Sequence, residues 1–217
     1  MGNVIVSGDR LCLRPLDRED ATALATHVTT ESDTVMVRGR VPVSPLAFER
    51  WIVSLDATSP PPGISVAVCL LDEAEPGRLI GVATLRNIDW VNRTAETGIG
   101  IYPATRRGHG YGAEAKHLLL SYAFDRLHLH AIHATVWEPN TRSARAILRQ
   151  GYRPAGRTRW TDPRDGTYRD TLFFDLLRPE WEAAHREWRA RRSAAPTVTD
   201  AGMTAPASGP SRTGEPA

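Results

Sequence analysis

Between Thr94 and Arg126 the hydrophobic pattern changes its period once, and that change frames the most informative stretch of the chain. Over 94–102, Ile99, Ile101 and Tyr102 sit among small residues in alternation, which predicts a strand. Further on, Tyr111, Ala115, Leu118, Leu119 and Tyr122 recur at spacings of three and four, the single apolar face of a helix. Between them runs Pro103-Ala-Thr-Arg-Arg-Gly-His-Gly-Tyr-Gly112, a loop that opens directly into the helix.

The flanking pattern predicts a short strand pair at Val4–Val6 and Leu11–Leu13. A helix follows, opened by Asp17 as its cap and running to about Val28. Residues 29–44 are polar and irregular. Ser44-Pro45 starts a second helix to about Leu55, serine as cap and proline in the first position. Ile64–Leu71 and Leu79–Leu85 read as a hairpin across Asp72–Gly77, and Asn92-Arg93 turns the chain into the 94–102 strand. Beyond the central helix come a strand at Ala131–Trp137, a short helix at Thr141–Gln150 and a hairpin of Arg153–Trp160 with Thr167–Leu176 across Asp162–Gly166. A last helix spans Pro179–Arg192, with Trp181 and Trp188 on its packing face. This order predicts a single α/β (α+β) domain over 1–192, its mixed, mostly antiparallel sheet flanked by helices. Residues 193–217 carry little to bury and read as a disordered tail.

Composition narrows the function. A chain of 217 residues, 41% hydrophobic, suffices for one substantial core. A net charge of +2 gives no whole-molecule argument for direct nucleic-acid binding. No apolar run approaches the roughly 20 residues needed to span a bilayer. The start carries no signal segment, and Val6 stands where myristoylation wants Ser or Thr. Cys12 and Cys69 lie in apolar runs, which suits buried reduced thiols and a cytoplasmic location. His128, His130 and His133 cluster without a carboxylate or cysteine at ligand spacing, so no metal is expected there.

The loop before Tyr111 suits an anion. The first turn of a helix presents unpartnered N–H groups at the positive end of its dipole. Gly108, Gly110 and Gly112 permit positive φ and close approach of a ligand, and Arg106 and Arg107 add fixed charge, so a phosphate or pyrophosphate site is expected. A P-loop is excluded, since no Lys-Ser or Lys-Thr pair follows the glycines. A dinucleotide fingerprint is formally met by Gly108-x-Gly110-x-x-Ala113, although Pro103 to Arg107 intervene after the strand. The third pattern is [Q/R]-x-x-G-x-[G/A], spelled by Arg107, Gly108, His109, Gly110, Tyr111 and Gly112.

Leu11-Cys-Leu-Arg-Pro-Leu16, Ala95-Glu-Thr-Gly-Ile-Gly-Ile101, Arg107-Gly-His-Gly-Tyr-Gly-Ala-Glu-Ala115, Asn140-Thr-Arg-Ser143, Gln150-Gly-Tyr152 and Tyr168-Arg-Asp170 together resemble the GNAT acetyltransferase superfamily. The resemblance is strongest to the branch that contains the ribosomal-protein alanine N-acetyltransferases, and it covers roughly residues 8–178. It implies a GNAT-like fold splayed at a central parallel strand pair, with transfer of acetyl from acetyl-CoA to a primary amine in one ternary complex. By resemblance, the CoA pyrophosphate lies on the N–H groups of 107–112, and the pantetheine arm lies along Ile99, Gly100 and Ile101. Asn140 then bonds a pantetheine amide or caps its own helix. Ser143 takes the role of acid, because the tyrosine found in many members is replaced by Ile147. His109 stands where the branch often has lysine, and Tyr152 where phenylalanine is usual.

Glu96 is the carboxylate of the central strand: either the base for the amine, through water, or a structural acid paired with Arg86 or Arg93. A strand N–H near Ile99 is the candidate oxyanion donor. Acceptor selection is expected from 29–44 and 160–167, with Glu31, Asp33, Asp162 and Asp165 as loop acids. The expected partner is an amine acceptor, whether a small molecule or a protein N-terminus, met by a monomer or homodimer. Two other functions compete: a catalytically weak acyl-CoA-binding module, and a nicotinamide-dependent oxidoreductase.

Overall fold

A computed structural model describes residues 3–30, 44–71, 74, 76–164 and 167–193, the side chains of 28–30, 161–164 and 193 excepted. The strands are β1 (Val6–Ser7), β2 (Leu11–Pro15), β3 (Ile64–Leu70), β4 (Leu79–Asp89), β5 (Thr94–Ile101), β6 (Ala131–Trp137), β7 (Arg153–Arg164) and β8 (Thr167–Leu177). The helices are α1 (Asp20–Thr30), α2 (Pro45–Ser54), α3 (Tyr111–Ser121), α4 (Thr141–Leu148) and α5 (Arg178–Ser193). The strands form one eight-stranded sheet in the order β1-β2-β3-β4-β5-β6-β8-β7. Every pairing is antiparallel except the central β5–β6 pair.

Strand alternation sorts the apolar residues into two layers. Leu11, Leu13, Val66, Val68, Ile80 and Leu85 join Ala115, Leu119 and Phe124 of the α3 side in the larger core. Cys12, Ala67, Cys69 and Val82 point the other way and meet Leu24 of α1 and Ile52 of α2. Cys12 and Cys69 face each other across β2 and β3 as free, buried thiols. At ~25 cal/mol per Å² of apolar surface, burying each leucine of the larger core stabilises the fold by about 2 kcal/mol.

The helix ends follow local chemistry, with corrections. Asp17 accepts the amides of Glu19 and Asp20 as α1 begins, and Arg14 grips Asp20 with two bonds of 2.8 Å. α1 runs to Thr30, past the expected Val28. Ser44 holds the N-cap position of α2, but its side chain makes no cap bond; its carbonyl accepts from Ala47 instead. α4 stops at Leu148, where the amides of Gln150 and Gly151 turn back to Ile147 and Leu148. β4 continues to Asp89, and the last hairpin is longer than its pattern suggested, reaching Arg164 and resuming at Thr167.

α3 ends in a π-helical turn, Tyr122–Arg126. α5 packs back along α3: Trp181 stacks on Phe124 at 5.1 Å and Trp188 on His117 at 4.3 Å between ring centroids. The 31–43 part of the irregular segment, with Glu31 and Asp33, lies outside the described residues. So do Asp165 and the tail after 193. Among the described residues no helix is long and apolar enough to cross a membrane.

Candidate active site

β5 and β6 are joined over only three rungs, Thr94↔Ala131, Ala95↔Ile132 and Glu96↔His133. β5 then stays paired to β4 as far as Ile101, and β6 to β8 as far as Trp137. Each strand past Glu96 and His133 is therefore held only by its outer neighbour, and a fork opens between them. The Tyr102 amide bonds Ile80 on β4. Alternation along a strand then turns the peptide groups of Ile101 and Ile99 toward the fork, and those of Gly100 toward β4. The Ile101 carbonyl on the fork side is taken by Arg107 Nε at 3.0 Å, which ties the following loop to the strand end.

That loop makes a 3₁₀ turn at Ala104–Arg106 and then bends through Gly108 (φ 90°) and Gly110 (φ 82°) into α3. Residues with a Cβ pay steric strain in this left-handed region. Gly112 is different from the expectation: it sits within the first helical turn without positive φ, and an added Cβ would meet only Ile101 at an ordinary 3.6 Å. Gly110 is the N-cap and offers no side chain, so the amides of Tyr111, Gly112 and Ala113 lack a side-chain cap; the Glu114 amide makes the first intrahelical bond, to Gly110. A concave run of backbone donors at a positive helix end fits a diphosphate.

Two arginines remote in sequence complete the loop's surroundings. Arg10 donates from Nη1 to the His109 carbonyl at 2.9 Å, and its guanidinium lies 4.7 Å from the Tyr111 ring centroid. Arg142 on α4 brings Nη2 within 3.9 Å of where a Cβ on Gly108 would stand. Glu114, in the same helical turn, would oppose an anion if unpaired. It is fully buried and receives the Arg10 amide at 2.8 Å and Arg10 Nε at 2.9 Å, with Arg192 of α5 at 3.4 Å. The sequence pattern missed Arg10 and Arg142. The signal for Arg142 was its place inside Asn140-x-x-Ser143; Arg10 carried none, being 99 residues from the carbonyl it binds.

Among the named candidates, Asn140 caps α4, its Oδ1 accepting the Ser143 amide at 3.1 Å. The half-buried Ser143 therefore spends its backbone N–H on the cap and keeps its hydroxyl. Ile147, where a tyrosine was absent from the pattern, is buried in the core. Glu96 lies on the opposite face of β5 from Thr97. Its carboxylate accepts from Arg86 Nη2 at 2.8 Å, Thr135 Oγ1 at 2.6 Å and Asn87 Nδ2 at 3.4 Å. The expected ion pair is thus with Arg86, and the carboxylate also bridges the two arms of the fork, since Thr135 belongs to β6. Tyr152 is buried with its hydroxyl 2.8 Å from Thr97 Oγ1, and burial pushes the phenol well above its usual range. Among the described residues no group of three or more His, Cys, Asp or Glu side chains converges as a metal site would require.

A forked parallel pair, an uncapped helix start and a flanking asparagine-capped helix are accompanied by a direct match: residues 10–153 fit the family model described as an acetyltransferase (GNAT) domain. The chain belongs to the GNAT acetyltransferase family. A Bacillus subtilis (strain 168) protein named "Putative ribosomal N-acetyltransferase YdaF" is 33% identical over 106 residues, covering 49% of this chain and 57% of that protein. A second from the same organism, "Uncharacterized N-acetyltransferase YoaA", is 29% identical over 50% of this chain and 61% of its own length. The chain thus spans little more than half the length of these two relatives. Among solved GNAT structures, Mycobacterium smegmatis RimJ in complex with CoA-disulfide superposes with a TM-score of 0.69 at 25% identity, covering 84% of this chain and 90% of that one. Spermidine N-acetyltransferase from Vibrio cholerae, in complex with CoA and spermine, gives a TM-score of 0.68 at 22% identity, covering 79% and 98%.

Proposed function

We propose that this GNAT protein is an acetyl-CoA-dependent N-acetyltransferase that acts on a primary amine in a single ternary complex. The observation that carries the reading is the fork between β5 and β6 ending at a helix start whose backbone donors are flanked by Arg10 and Arg142. Acetyl-CoA, as co-substrate, supplies the activated acetyl thioester. In this reading the amides of 107–112, with His109 and Tyr111 in the same loop, hold its diphosphate. The fork-facing peptide groups of Ile99 and Ile101 hold the pantetheine arm in register, and Asn140 adds a bond from its remaining amide hydrogens.

Each step of the transfer has a residue. Glu96 takes the proton of the attacking amine, through water, on the face of the sheet opposite α3. The Ile99 N–H receives the charge that develops on the carbonyl oxygen. The Ser143 hydroxyl, unbonded among the described residues, donates to the departing sulfur. The amine nitrogen gains the acetyl group and loses a proton, and the sulfur leaves as the thiol. No metal enters this scheme, and the two free cysteines suit a reducing cytoplasm.

Relatives named for ribosomal proteins and for spermidine suggest which amines to offer: a protein N-terminus, a polyamine and an amine-bearing small molecule. Thiol release from acetyl-CoA across that panel is expected for at least one class. The competing reading is an acyl-CoA-binding module without turnover, favoured by Ile147 at the position of the missing tyrosine. Tight CoA binding with no thiol release for any amine would establish it in place of the enzyme.

A further inference from the structure

Lys116 is the only lysine in the sequence, and it is buried on α3 beneath the sheet. Its Nζ donates to Thr97 Oγ1 at 2.6 Å and lies 5.3 Å from the centre of the Tyr152 ring. Thr97 Oγ1 is also 2.8 Å from the Tyr152 hydroxyl and donates to the His133 carbonyl at 3.3 Å. Hydrogen counting fixes the arrangement: the threonine's one proton goes to His133, so its two lone pairs take Lys116 and Tyr152 as donors. His133 belongs to the last rung that joins β5 to β6, and Thr97 is the first residue beyond it. This node therefore clasps α3, both arms of the fork and the chain after α4 at the point where the arms separate.

We propose that Lys116 is a positioning residue for acyl-carrier binding, acting through Thr97 to fix the vertex of the β5–β6 fork. The inference rests on the acetyltransferase reading above and goes beyond it by naming what sets the gap. A lysine whose partner is a neutral hydroxyl is a costly choice for a core, and methionine would fill the same space without a desolvated amine. What the amine adds is a donor fixed on α3, the helix whose start receives the diphosphate. The two ends of one ligand are thereby held by one rigid element.

The charge on this amine is balanced close to neutrality. Burial, joined by the Arg86 charge on β4, pulls it down to about 7, and Glu96 on β5 opposes them. The Tyr152 phenol stays protonated, and the helix's own neighbours Glu114 and His117 are engaged with Arg10 and Trp188. The ammonium is the stronger donor to Thr97. The clasp is tightest below the neutral range and loosens as the proton leaves.

The test compares Lys116→Met and Thr97→Val with the wild-type full chain by calorimetric titration of two probes, CoA and adenosine 3′,5′-bisphosphate. The second probe carries no pantetheine arm. Lys116→Met is expected to weaken CoA about tenfold, the worth of one charge-assisted bond, while leaving the bisphosphate within about twofold. Wild-type CoA affinity is expected to fall as pH rises through 7, and the variant's profile to lie flatter, the phosphates of the ligand titrating alike in both. Thr97→Val should reproduce the selective loss, which keeps the question open to refutation if the methionine variant misfolds. Equal weakening of both probes, or unchanged CoA affinity with an unchanged pH profile, overturns the proposal and leaves the acetyltransferase reading standing. Failure of the wild-type protein to bind either probe removes both.

Discussion

Asn140 and Ser143 meet through the backbone: the asparagine Oδ1 accepts the serine amide at 3.1 Å and closes the first turn of α4. The contact separates two roles that the spacing left merged. A Ser143→Ala variant keeps the amide and hence the cap, so its melting temperature should match wild type. If the hydroxyl assists sulfur departure, kcat should fall about tenfold to a thousandfold with the KM for acetyl-CoA little changed. Asn140→Ala should instead cost about 1 kcal/mol of stability through the lost cap and weaken CoA as well. Thiol-release kinetics and thermal denaturation on the two variants check both.

Arg10 and Arg142 border the same loop under different obligations. Arg142 is exposed and its guanidinium reaches Gly108, so Arg142→Ala should weaken CoA about tenfold without affecting the fold. Arg10 also neutralises the buried Glu114. Arg10→Ala should therefore lose affinity together with about 3 kcal/mol of stability, because a buried carboxylate is left with the more distant Arg192. Equilibrium denaturation beside CoA titration distinguishes the two patterns.

Gly110 carries a left-handed backbone at the helix start. Gly110→Ala is expected to cost about 1 kcal/mol from the left-handed strain alone. Gly110→Asp adds a negative charge where a diphosphate is proposed to sit, and should weaken CoA far more than the alanine variant does. Equal CoA affinity for the two variants would argue against that position for the diphosphate.

The elements were legible wherever a period of two or 3.6 ran long enough, as in 94–101 and 111–121, whereas the parallel pair came from what the family resemblance implied. Local chemistry was legible too: Asp17, Pro45 and the two left-handed glycines act within a few residues of themselves. What pattern does not carry is partnership across the sheet. Nothing local to Glu114 marks it as the buried anchor of Arg10, over a hundred residues away. Gly112 looked equivalent to Gly108 and Gly110, although only those two need positive φ. Glu96 was open between two partners, and register decided it: Arg86 lies opposite on β4, whereas Arg93 belongs to the turn before β5.

His117 gives a pH prediction with a definite sign. The ring is buried between α3 and α5, stacked on Trp188 and 5.6 Å from His185. Burial first, then His185, Arg191 and Arg192, push its pKa down to about 3. The unfolded chain takes up a proton near the ordinary imidazole value of about 6.5, while the native state refuses it until far lower pH. Below 6.5 the unfolded state therefore binds more protons, and stability is lost as pH falls through the window from 6.5 toward 3. His117→Phe removes this contribution and keeps an aromatic ring against Trp188. Its stability should fall less between pH 6.5 and 4.5 than that of wild type, followed by urea denaturation with Trp181 and Trp188 among the tryptophans reporting. Parallel curves for the two proteins over that window would show that the His117 proton is not what weakens the α3–α5 contact in acid.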